Sequence, residues 1–179
     1  MEEMQNEELE PISIKQVALK WGFIAGIISI AFFMVIVMAD LVGNSAVGWL
    51  GYLPFIIILF LANNEFKKEG DGFMSYNQGL ALGTLIALVS SIVSGIFSYI
   101  YTKFIVPDFY EQMMDKMIGI WESQGMTEEQ IDAALGIMSK FQNPELGFVF
   151  SVLGAVFLGF IISLIVAAIT KKVDPDLSI

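Results

Sequence analysis

A chain of 179 residues with 56% hydrophobic side chains and a mean hydropathy of +0.71 carries too much apolar surface for a soluble globule, so lipid must solvate much of it. Nine lysines, no arginine and 19 acids give a formal charge of −10, which argues against nucleic acid as a partner and against a polybasic grip on anionic lipid. Without cysteine or histidine there is no disulfide scaffold and no thiolate chemistry, and methionine is the only soft metal ligand on offer.

Residues 1–12, MEEMQNEELEPI, hold five glutamates and no base, and read as a disordered acidic cytoplasmic tail. The remainder, 13–179, reads as one domain. Ser13 and Gln16 have capping-box spacing, so a helix starts there and runs into a first membrane span at about 19–41. That span is too long for a signal-peptide core and lacks a small-residue cleavage site, so no cleavable leader is expected. Further spans are expected at about 47–65, 78–104 and 145–170, each near or above the ~18–20 residues that cross a bilayer. Pro54 falls inside the second and is expected to kink it. Asp40 lies roughly 30 Å along the first helix from Lys20, at the far interface, where an acid costs little.

Between the second and third spans, NNEFKKEGDGFMSYNQG reads as a solvated turn with an interfacial anchor at Phe73–Tyr76; it has no GxxxxGK phosphate loop. Span three carries a serine patch, Ser90, Ser91, Ser94 and Ser98. Hydroxyls could line a water path, although in membranes they often bond back to their own helix. Small residues recur every four positions in span three (Gly79, Gly83, Ala87, Ser91, Gly95) and span four (Gly147, Ser151, Ala155, Gly159, Ser163, Ala167), with a shorter run of Ala18, Gly22 and Gly26 in span one. Such ladders let helix backbones approach closely, here chiefly within the chain.

The loop after span three is amphipathic. Pro107 ends the span, Asp108 with Glu111 predicts a capped helix, and Gly125 sits where a helix stops. Thr127 with Gln130 caps a second helix, and Asn143-Pro144 starts span four. Residues 108–142 therefore form a hairpin of two helices. One face of the first carries Tyr110, Met113, Met114, Met117, Ile118 and Trp121; the second carries Ile131, Ala134, Leu135, Met138 and Phe141. The methionines share the helical spacing of their apolar neighbours, so packing accounts for them better than a Cu(I) site does. Two such helices bury too little alone, and their faces must meet each other, the span ends, lipid or a partner.

Lys15, Lys20, Lys67, Lys68, Lys171 and Lys172 fall on one side if both termini are cytoplasmic, which is the expected orientation. Trp49, Tyr52, Tyr99 and Tyr101 then form the outer aromatic belt. No GxSxG, HExxH or phosphate loop is present, and no constellation of side chains supports catalysis, so no enzyme and no cofactor is expected.

The GFMSYNQG turn, the YIYTKFIVPDF exit from span three and the glycine-rich last span resemble, over about residues 20–172, the bacterial family catalogued as domain of unknown function 4199. The resemblance implies a multi-pass inner-membrane protein and carries over no site residues. The resulting expectation is an all-α integral membrane fold: four transmembrane helices with an extracytoplasmic amphipathic helical hairpin between the third and fourth. Its hairpin face, Met114, Met117 and Trp121 against Ile131, Leu135 and Met138, would bind a membrane or periplasmic partner, a second copy or the lipid surface. The small residues Gly83, Ala87, Ser91, Gly95, Ser151, Ala155, Gly159 and Ser163 would pack the bundle. The alternative expectation is a small passive transporter or channel lined by the span-three serines.

Overall fold

The computed structural model describes residues 12–139 and 143–173, all of it helix, turn and connection apart from one isolated backbone bridge. The acidic tail, apart from Ile12, and Phe141 lie outside the described residues. Four helical segments are long and apolar enough to cross a membrane: Ile14–Met38, Ser45–Glu69, Tyr76–Ile105 and Pro144–Thr170. The chain is thus a multi-pass membrane protein.

Local chemistry sets the helix ends. Helix α1, Ile14–Met38, opens with the Ser13–Gln16 capping box. It closes in a Schellman arrangement, with Leu41 N–H donating to Ile36 O and Asp40 N–H to Val37 O. Asp40 takes the left-handed position there, at φ 58°, where glycine is usual.

The second span is two helices, not one kinked helix. Helix α2, Ser45–Leu50, is capped by Asn44, and α3, Tyr52–Glu69, begins after Gly51. Pro54 is the third residue of α3. In that first turn its missing N–H has no intrahelical acceptor to lose, so the break falls at Gly51 instead. The Phe32 ring crowds Gly51: a Cβ there would come within 2.8 Å of it.

Helix α4, Tyr76–Ile100, starts with a Ser75–Gln78 capping box and passes into a π-helical turn, Tyr101–Ile105. The turn closes with Val106 N–H donating to Tyr101 O. Val106 then adopts φ −132°, as a residue before proline must. Helices α5, Phe109–Ser123, and α6, Glu128–Met138, form the hairpin, and α7, Pro144–Thr170, is the fourth span. Asn143 caps α7 with Pro144 in its first turn, as the Asn-Pro pair predicts.

Helix α4 is the spine, flanked by α1 on one side and α7 on the other, with α3 laid against them. The approach to α7 is antiparallel and in register. Gly79 meets Ala167, Gly83 meets Ser163 and Ala87 meets Gly159. On the other side Gly22 and Gly26 of α1 lie under Val89 and Val93. Backbones this close maximise dispersion contact, the principal cohesion available in lipid.

The main core cluster lies at the end of the bundle where α1 begins and α7 ends. Val17, Ala18, Leu59, Ala62, Leu82, Ile86, Val166 and Ala167 are buried there. Asn63, buried with them, donates to Thr170 Oγ1 at 2.8 Å. Met74 and Lys172 exchange both backbone hydrogen bonds, stitching the α3–α4 connection to the end of α7. That connection is therefore only partly the solvated turn expected, because Met74 is fully buried.

Candidate functional site

Two features stand at the opposite, hairpin-bearing end: the docked hairpin and a cleft between the spans.

The hairpin turn follows the sequence closely. Gly125, at φ 80°, ends α5 in a Schellman motif, with Met126 N–H on Trp121 O and Gly125 N–H on Glu122 O. Thr127 and Gln130 complete the capping box of α6. The box predicted at Asp108 and Glu111 does not form. Asp108 sits at φ −84°, ψ 7°, not in the extended conformation that aims a side chain at the first N–H groups, and it makes no side-chain cap.

Helix α5 rests on the connection between α1 and α2. The Ile120 and Met117 side chains cover Gly43, where a Cβ would fall 2.8 Å and 3.3 Å from them. Lys116 forms an ion pair with Asp40 and also donates to the Asp40 carbonyl at 3.3 Å. Behind it, Phe33, Phe97, Tyr101 and Phe109 form an aromatic cluster with ring centroids 5.4–6.4 Å apart. Tyr101 is thus buried inside the bundle and does not belong to the outer belt, because one α-helical turn after Phe97 it continues the face of α4 that buries Ser90. Trp49 is 76% exposed and packs on Tyr52. At the mouth of span four, Lys103 pairs with Glu145 at 2.6 Å and contacts the Tyr99 hydroxyl.

Of the predicted hairpin face, Ile131 is buried, while Met114, Met117, Trp121, Leu135 and Met138 are half-buried. Met117 is turned onto Gly43, and Met113 joins Asp40 and Lys116 around a small hollow. The opposite surface of the hairpin is acidic. Glu111, Asp115, Glu122, Glu128, Glu129 and Asp132 are all exposed.

The cleft arises where the α4–α7 ladder stops closing. Beyond Ala87–Gly159 the next register partners, Ser91 and Ala155, both line a cavity of about 380 Å³. Ser90, Ser94 and Ser151 line it too, as does Ser29 of α1. Ser98 lines an adjoining hollow of about 260 Å³ that shares Ser29, Ser91, Ser94 and Ser151. Of the predicted packing residues, Gly83, Ala87, Ser91, Gly95, Gly159 and Ser163 are buried, whereas Ser151 and Ala155 are exposed at the cleft. The grouping of span-three serines with Ser29 and Ser151 was not visible in the sequence, because it depends on the register between helices.

Residues 20–172 match the family model described as protein of unknown function, DUF4199. The chain belongs to that family. No curated protein and no solved structure matches it. DUF4199 is described only as a family of unknown function, so the site must be read from its own geometry.

Proposed function

We propose that this DUF4199 chain is a non-enzymatic protein of the bacterial inner membrane, with both termini cytoplasmic and the hairpin outside as a docking platform for a basic partner protein. The orientation rests on lysine: all six of Lys15, Lys20, Lys67, Lys68, Lys171 and Lys172 belong to the terminus-bearing end. The platform rests on one observation. The apolar face of α5 is engaged with the bundle end through Met117, Ile120 and the Lys116–Asp40 pair, which leaves the acidic surface of the hairpin outward.

Charge chooses among the partners. An anionic headgroup layer and a second acidic hairpin would both be repelled by Glu122, Glu128, Glu129 and Asp132, whereas a cationic protein surface is attracted. A photocrosslinking residue placed at Asp132, in native membranes, tests this. One discrete protein adduct is expected, weakened by salt and lost on Glu128→Lys/Glu129→Lys. Adducts to lipid or to a second copy alone would refute it.

The conduit reading has one observation in its favour, the convergence of serines on one cavity. The terminus-bearing half below it is closed by Leu59, Leu82 and Ile86, each 1% exposed or less, so the arrangement supports a pocket rather than a path.

A further inference from the structure

We propose that the serine-lined cleft is a binding site for an uncharged, lipid-soluble molecule that presents hydroxyl or N–H donors. This inference is independent of the hairpin reading.

The polarity of the wall comes first. Ser91, Ser94 and Ser151 donate their hydroxyls back to Leu88 O, Ser90 O and Phe148 O at 2.8–2.9 Å. A hydroxyl has one donor and two acceptor sites, so these three present acceptors to the cavity. A ligand that meets these three must bring the donors, whereas Ser29, Ser90 and Tyr52 can donate or accept. No lysine or carboxylate lines the cleft. A charged ligand at this depth would lose its hydration without a counter-charge, which selects an uncharged one.

The rest of the wall is largely apolar, formed by Phe55, Leu158 and Ile162 with the ring of Tyr52. The ligand therefore has one donor-bearing edge and one greasy face. Its route follows from exposure. Ser151, Ala155 and Leu158 are exposed along the flank of α7, which faces lipid in a spanning helix, so the cleft opens sideways to the bilayer. Towards the terminus-bearing end it is stopped by the Ala87–Gly159 contact. Entry is from the membrane, and there is no exit beyond. At about 380 Å³ the cavity falls within the range of small-molecule sites, ~300–1,000 Å³.

The test uses the full chain in phosphatidylcholine nanodiscs and two probes, a diazirine-bearing hexadecanol and its methyl ether, which lacks the donor. On the wild type, the alcohol should label residues 52–55 and 151–162 about threefold to tenfold more than the ether, the worth of one hydrogen bond. Ser91→Ala/Ser94→Ala/Ser151→Ala should bring the alcohol down to the ether. Gly154→Leu, at a lining position where a Cβ has no neighbour within 4 Å, should fill the cleft and abolish labelling there by both. Equal labelling of the wild type by alcohol and ether, or labelling confined elsewhere, would show a seam filled by ordinary lipid chains and overturn the proposal. That comparison needs no variant to fold.

Discussion

Substituting Gly26 by alanine probes the α1–α4 contact most directly. The added Cβ would lie 2.6 Å from Val93 Cβ and 3.3 Å from the Ser90 carbonyl oxygen. Ordinary carbon–carbon contact is about 3.5–4.0 Å, so α1 must retreat by roughly 1 Å. The retreat would loosen the burial of Val17, Ala18 and Ala25 along the same face. Overpacking of this kind costs about 1–3 kcal/mol, and alanine's better helix propensity returns up to about 1 kcal/mol. A net loss of about 1–2 kcal/mol is expected. Gly22→Ala, at 2.5 Å from Val89 Cβ, should behave alike, and the pair should cost less than the sum because one displacement relieves both. The assay is equilibrium unfolding in mixed micelles, followed by circular dichroism. Gly154→Ala is the control, since its Cβ meets nothing within 4 Å; it should be neutral or slightly stabilising. If Gly26→Ala matches Gly154→Ala within about 0.5 kcal/mol, the close packing of α1 on α4 is wrong.

The hairpin anchor is testable at Asp40. Asp40→Ala should cost about 1 kcal/mol more than Asp40→Gly, because only glycine relaxes at φ 58°. A double-mutant cycle with Lys116→Ala should return only about 0.2–1 kcal/mol, as the Asp40 side chain is 82% exposed. Met117→Asp places a charge against Gly43 and should expose the Ser123–Thr127 turn to protease far more than loss of the ion pair does; equal protection would refute the docking. Orientation can be read in intact cells, because the chain contains no native cysteine. A membrane-impermeant maleimide should modify Ser123→Cys and spare Lys171→Cys, and the reverse pattern would invert the topology.

What the sequence discloses here is what depends on near neighbours. Hydropathy alone locates four spans, and the caps at Ser13, Thr127 and Asn143 are legible because their partners lie two or three residues away. The same locality misleads at Pro54. A proline advertises a kink, but its cost depends on helix position, and only the structure shows that Gly51 has already ended the preceding helix. Tyr101 misleads for a related reason: an aromatic residue at a span end advertises an interface, but this one lies on the face of α4 that packs against Phe33. The Lys116–Asp40 pair joins residues 76 positions apart and leaves no trace in either segment.

The cleft has a cause that small-residue spacing could not reveal. A ladder of period four drifts around a helix, so two facing ladders stay in contact for only a few turns. Gly79, Gly83 and Ala87 use up that length against Ala167, Ser163 and Gly159. By Gly95 the facing residue is no longer the register partner Ser151 but Phe148, whose ring would lie 2.9 Å from an added Cβ. A phenyl group occupies the interface where a hydroxymethyl would continue it. Between the last tight contact and this ring lie Ser91, Ser151 and Ala155, small side chains that leave the cavity open. On the remaining side, the break at Gly51 starts α3 beside the gap with Tyr52 and Phe55. Small polar residues thus appear at two levels of α7 with opposite consequences: Ser163 is buried against Gly83, whereas Ser151 faces open space. Position along the ladder, and not residue type, decides which serine packs and which is free to meet a ligand.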